Sequence, residues 1–164
     1  MERLTGGGLN GPMSTLESAA LIAATICTGL MAGLFAAFAY AVMPGLRRAD
    51  DRTFTEAMRQ INAAILNAWF AIPLAGALVF TALAAALQLA SDGRAALGWT
   101  AGGLVLYLAT LAITFRVNVP LNDALAAGGS RERFERPWVR ANIVRAVTST
   151  AALGCLAGAL SAGS

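Results

Sequence analysis

Amide, guanidinium, carboxylate and indole side chains crowd into two short stretches of this chain. They are Arg116-Val117-Asn118-Val119-Pro120-Leu121-Asn122-Asp123 and Trp138-Val139-Arg140-Ala141-Asn142-Ile143-Val144-Arg145. Asn118 and Asn122 stand four apart and so share a helix face; Trp138, Asn142 and Arg145 recur at four and three and share a stripe. Asn62 and Asn67 add two more amides upstream. Such groups suit a flat, hydrophobic molecule bearing carbonyl or phenol oxygens, because amides and a guanidinium donate to the oxygens while aromatic side chains cover the rings. The same donors favour an anionic enolate over its neutral parent, which is electrostatic catalysis without a cofactor. A plainer reading stands beside it: polar groups at helix ends also knit a bundle together and anchor it at the membrane interface.

The rest of the chain is built to hold these groups in a bilayer. Apolar residues make up 57% of the 164 and charged ones 13%, with a mean hydropathy of +0.64, far from a soluble composition. Residues 18–46, 60–91, 95–115 and 146–164 carry no charge, and each reaches or approaches the ~20 residues a membrane helix needs. Backbone in lipid must satisfy its own hydrogen bonds, so these runs predict helices. The expected fold is all-α, an antiparallel integral membrane four-helix bundle, with helices two to four extending past the cytoplasmic face. Residues 1–17 read as a flexible leader and 18–164 as the transmembrane domain, with spans at about 18–44, 60–90, 95–117 and 142–162. The first run is too long for a signal-peptide core and follows Glu17 rather than a basic cluster, so it reads as retained; Met13 is an alternative start.

There is no Lys, and ten of the twelve arginines fall in loops one and three and their flanks, leaving Arg3 and Arg94 opposite. The positive-inside rule then puts both termini outside and loops one and three in the cytoplasm, in the cytoplasmic membrane. The net charge of +3 requires no nucleic acid. Cys27 and Cys155 fall near mid-span with no CxxC, as small apolar fillers. Without a single His, zinc or haem has almost no ligands to choose from.

Local signals place the polar groups. Met43-Pro44-Gly45 reads as a stop for the first span. Thr53-Phe54-Thr55-Glu56 fits a capping box that starts the second helix near Arg52, and Pro73 should bend that helix. Five residues are about 140° round a helix, so Asn62 and Asn67 should not face one point, and the deeper Asn67 should turn inward. Residues 91–94 form an external turn. Pro120 disfavours helix at Val119. Gly128-Gly129 should close the third helix, Ser130 should open a short amphipathic piece, and Pro137 suits the first turn of the fourth. Arg145 borders the last uncharged run, where a charge must snorkel, pair or face a wet cavity; Asp123 is its expected partner. GxxxG pairs at Gly29/Gly33, Gly98/Gly102 and Gly154/Gly158 predict close helix approach and permit a homo-oligomer.

The pattern Val42-Met43-Pro44-Gly45-Leu46, then Ala57-Met58-Arg59-Gln60-Ile61-Asn62-Ala63-Ala64-Ile65-Leu66-Asn67, resembles the small membrane proteins of the anthrone oxygenase-like family. Asn118-Val119-Pro120-Leu121-Asn122-Asp123 followed by Trp138, Asn142 and Arg145 is similar to that family's second signature; Ala141 departs from an aromatic often found there. The resemblance implies a monooxygenase of aromatic polyketide pathways that turns anthrones into anthraquinones with dioxygen and no prosthetic group. On that chemistry Asp123 is the expected base, with Arg145, Asn118 and Asn142 holding the oxyanion. Asn62, Asn67, Trp69, Arg116, Asn122 and Trp138 are the expected substrate contacts, Trp138 stacking on the rings. The partners are then the lipid bilayer, a hydrophobic aromatic molecule and dioxygen. The competing expectation is a non-enzymatic membrane protein that binds a quinone-like lipid or serves as a small assembly partner. A transporter ranks third, since no charged residue sits in the bilayer core to couple to an ion.

Overall fold

Five helices account for nearly all of residues 13–91 and 95–163, the residues described in a computed structural model. They are α1 (Thr15–Leu46), α2 (Asp51–Ala64), α3 (Ala68–Ala90), α4 (Leu97–Ala126) and α5 (Arg131–Ala162). All but α2 are long and apolar enough to cross a membrane, and every described element is helical. The expected all-α membrane bundle is what forms, because only intra-helical bonding satisfies a backbone in hydrocarbon. α1 packs between α3 and α5, and α5 packs on α4, while α3 and α4 share the thinnest seam.

α1 starts at Thr15, inside the segment expected to be a leader. Ser14 Oγ accepts from the Glu17 amide (3.2 Å) and Glu17 Oε2 accepts from the Ser14 amide (2.7 Å), a reciprocal cap. Glu17 is buried, and its second oxygen takes the Ser91 hydroxyl at 2.7 Å. Residues 1–12 of the expected leader and 92–94 of the expected external turn lie outside the described residues.

At this end the interior is made of Ala20, Leu21, Ala24, Ala84, Leu156 and Ala159. The GxxxG expectation is only partly met. A side chain on Gly29 would meet Leu153 at an ordinary 3.6 Å, and Gly33, Gly98 and Gly154 face open space. Close approach is made at Gly103 against Leu156 and at Gly158 against Trp99, where a Cβ would come within 3.3 and 3.0 Å. Small core alanines, not paired glycines, set most of the helix spacing.

Three proline expectations fail for related reasons. Pro44 does not stop α1, and Pro120 does not interrupt α4. In each helix a π-turn precedes the proline, Phe38–Val42 in α1 and Thr114–Asn118 in α4. The Met43 amide reaches back to the Phe38 carbonyl and the Val119 amide to the Thr114 carbonyl. A proline ring collides with the carbonyl four residues earlier, here Tyr40 and Arg116, and both lie in the widened turns that relieve the collision. Pro137 likewise lies inside α5, which runs unbroken from Arg131, so no separate amphipathic piece forms. Phe134 and Trp138 on either side of it are buried and hold the two turns together.

The break that does occur is at 65–67. α2 ends at Ala64, and Asn67, in extended backbone, caps α3 by accepting from the Phe70 amide at 3.2 Å. Pro73 is six residues downstream, within α3. The cap of α2 is Asp50 rather than Thr53: its carboxylate takes the Thr53 amide at 3.0 Å and the Thr53 hydroxyl at 2.7 Å. α2 thus turns under the bundle as a floor. Phe54 and Met58, both fully buried, join Met43, Leu125, Phe134 and Trp138 in one cluster, worth about 1.5–3 kcal/mol per large side chain. Arg131 latches the floor's approach by donating to the Ala49 and Arg47 carbonyls, Asp51 and Glu135.

Candidate functional site

A cavity of about 780 Å³ lies between α1, α3, α4 and α5 at this end, above the floor made by α2. Its volume falls in the ~300–1,000 Å³ range of small-molecule sites. Phe35 and Phe38 enter from α1, Arg59 and Asn62 from α2, Asn67 and Phe70 from the start of α3. Thr114, Asn118, Asn122 and Asp123 line it from α4, and Trp138, Asn142 and Arg145 from α5.

Arg145 dominates the electrostatics. It is 6% exposed, and among the described residues no carboxylate lies within ion-pair distance. The expected pairing with Asp123 does not form; Asp123 stands exposed at the cavity's edge. The guanidinium is instead held by neutral acceptors and rings. Nη2 donates to Asn142 Oδ1 at 2.9 Å and Nη1 approaches Thr114 Oγ1 at 3.5 Å. Its carbon sits 4.4 Å above the Phe35 ring and 5.5 Å above Trp138. Of the five N–H donors of an arginine, Nε is buried with no partner. Burying a guanidinium away from water costs free energy that neutral acceptors and ring faces offset less well than a carboxylate would.

The amides around it divide into holders and open groups. Asn142 is fully engaged in positioning: its Nδ2 donates to the Phe35 carbonyl at 2.9 Å while Oδ1 receives Arg145. Asn122 Oδ1 accepts the Trp138 indole N–H at 2.7 Å and fixes the ring. Asn118 Nδ2 reaches the Trp138 carbonyl at 3.4 Å, leaving Oδ1 buried without a partner, and Asn62 Nδ2 is also unpartnered. Each orphan costs about 1–3 kcal/mol. Asn62, Asn118 and Arg145 thus bring unsatisfied groups to one cavity from α2, α4 and α5, while Thr28 and Gln88 carry others outside it.

Several expected contacts fall elsewhere. Trp69 is 91% exposed and outside the cavity, because the helix restarts at Asn67 and turns Phe70, not Trp69, inward. Arg116 is also outside; Thr114 and Asn118 face in, so the residue between them faces out. Asn62 and Asn67 both line the cavity despite the helical-angle argument, since the break between them removes the shared periodicity. Trp138 has little free face for a substrate: Phe134 stacks on it at 5.8 Å, Phe38 tilts against it at 5.7 Å, and Arg145 lies over it. Phe38, Phe70 and Phe115 are other aromatic side chains that line the cavity. Sequence reasoning also missed Phe35, Arg59 and Thr114. Thr114 had a usable signal, since Thr110, Thr114, Asn118 and Asn122 recur every four residues.

Compared with known families, residues 58–155 match the family model described as Anthrone oxygenase. The matched segment runs from α2 into α5 and contains every polar residue assigned above to the cavity. No curated protein and no solved structure matches the chain.

Proposed function

Because the chain belongs to the anthrone oxygenase family, we propose that its cavity binds a lipophilic polycyclic phenol or anthrone and oxidises it to a quinone with dioxygen, without a prosthetic group. The observation that carries this reading is Arg145, a buried cation without a counter-ion among the described residues, on the wall of an aromatic-lined cavity. A structural arginine would be paired; one kept unpaired at a loss suits an anion that forms in the cavity. An anthrone enolate is such an anion, with its charge on an oxygen and its body flat and apolar.

The chemistry asked of the protein is small. Asp123 takes one proton from the ring methylene, Arg145 holds the enolate oxygen, and the open Asn118 Oδ1 accepts from a phenol hydroxyl. Asn142 and Thr114 keep the guanidinium in place, and Asn62 and Asn67 contact the substrate from the α2–α3 break. The enolate passes one electron to dioxygen, and the resulting radical pair closes a carbon–oxygen bond to give a peroxide, protonated by Asp123. Loss of the second methylene proton then breaks the O–O bond and expels hydroxide, which leaves as water. One oxygen atom ends in the quinone and the other in water.

Oxygen uptake by membranes containing the protein, on addition of an anthrone, tests the reading. Arg145→Ala should lower the rate about 10²–10³-fold, the loss typical of an oxyanion donor. Asp123→Asn should lower it about 10²–10⁴-fold, as for a general base. Folded Arg145→Ala and Asn142→Ala proteins with full activity would end the proposal; unchanged turnover in Asp123→Asn would remove only the base. Binding of the quinone without oxygen uptake would leave a quinone-binding membrane protein.

A further inference from the structure

We propose that the cavity is entered sideways from the lipid, through a portal between the start of α3 and the π-turn of α4. The portal rests on the reading above only for the identity of what passes through it. On the water side α2 covers part of the cavity, Phe54 and Met58 being fully buried against Leu125, Phe134 and Trp138, and the edge left open there carries the charged Asp123. Arg59 ties that floor to α4 through the Leu125 carbonyl at 2.9 Å. The side between α3 and α4 is different. It is the thinnest seam of the bundle, and the cavity's lining there is itself exposed, Leu66 at 79% and Phe115 at 60%. Ala68 and Ala71 at the start of α3 also line this side and are exposed, so the α3 edge of the gap carries side chains too small to close it.

The rim is apolar, which is costly against water and neutral against acyl chains. Trp69 and Ile72 continue it outward. An indole so exposed beside Asn67 suits the boundary between chains and headgroups. A flat phenol partitions to that depth, with its rings among the chains and its oxygens toward the headgroups. It would enter rings first past Phe115 and Leu66, and its oxygen would meet Arg145 behind them.

Trp138 on the inner wall reports on access without any turnover. In Trp69→Phe/Trp99→Phe protein it is the remaining indole of the three. Reconstituted in vesicles of chain-brominated phosphatidylcholine, its emission should be strongly quenched. Ala68→Phe and Ala71→Phe, narrowing the portal, should each restore emission to the level in unbrominated lipid. Ala82→Phe, elsewhere on the exposed face of α3, should not. Emission untouched by brominated lipid, or quenching that survives both narrowing variants, overturns the portal. Acrylamide quenching in its place marks a water-facing mouth and overturns it too. A protein that shows the lipid quenching yet consumes no oxygen with an anthrone keeps the portal and loses the oxygenase reading.

Discussion

At the scale of single residues, Arg145 is the costliest side chain in the cavity wall. Its guanidinium is sandwiched by Phe35 and Trp138 and steered by Asn142 and Thr114, yet no carboxylate offsets its charge. Arg145→Met should therefore raise the unfolding midpoint in detergent, by about 1–3 kcal/mol of recovered burial cost, while abolishing oxygen uptake. A loss of stability in that variant would mean the arginine is glue. Arg145→Lys should not restore activity, because a lysine ammonium has no planar fork to bridge Thr114 and Asn142 while stacking on two rings. Asn122→Ala should leave the Trp138 N–H unpaired and cost about 1–3 kcal/mol, measured by the same melts. The polar stripes on α4 and α5 were legible in the sequence because they lie on uninterrupted helix, where spacing converts directly to a face. The missing counter-ion was not, since an exposed Asp123 and a buried Arg145 look adjacent only in a linear reading.

At the scale of elements, the departures from regular helix build the cavity. The π-turns of α1 and α4 carry the wall residues Phe38, Thr114 and Asn118, and the break between α2 and α3 brings Phe70 and Asn67 to the cavity. Asn67→Ala removes the cap of α3 and should destabilise the protein by about 1 kcal/mol, with a larger loss of activity than of stability because the break would drift. Asp50 caps α2 in the open, and its bonds to the Thr53 hydroxyl and then the Thr53 amide hold its carboxyl below the usual range. A lowered carboxyl contributes stability above its ordinary pKa and loses it as pH falls through the lowered value. Melts of Asp50→Ala should therefore converge with the parent protein in acid and fall below it near neutrality. Proline misled here: Pro44, Pro120 and Pro137 sit inside helices like Pro73, because a π-turn or packed neighbours accommodate a ring that sequence rules treat as a breaker.

For the whole molecule, one end is small-residue packing and the other holds the polar cavity. The cavity end also gathers the arginines of both loops, including the Arg131 latch on the backbone of Ala49 and Arg47. Its exposed arginines should face the cytoplasm if the positive-inside bias governs insertion. A thiol introduced as Arg48→Cys should resist an impermeant maleimide in intact cells and react in opened vesicles. Reaction in intact cells would invert the topology and place the proposed oxidation on the outer face.

The amino-acid sequence by itself determined that this chain crosses a membrane as four helices, and that its few polar groups cluster at one end. Long uncharged runs have no other stable form in hydrocarbon, and amides spaced by three and four have no other common face. Only the tertiary structure decided which groups share a hollow, which merely hold their neighbours, and that the cation among them is unpaired. Those facts depend on where helices widen and break and on which seam packs least. Such outcomes are set by contacts between segments far apart in the chain, which local spacing does not encode.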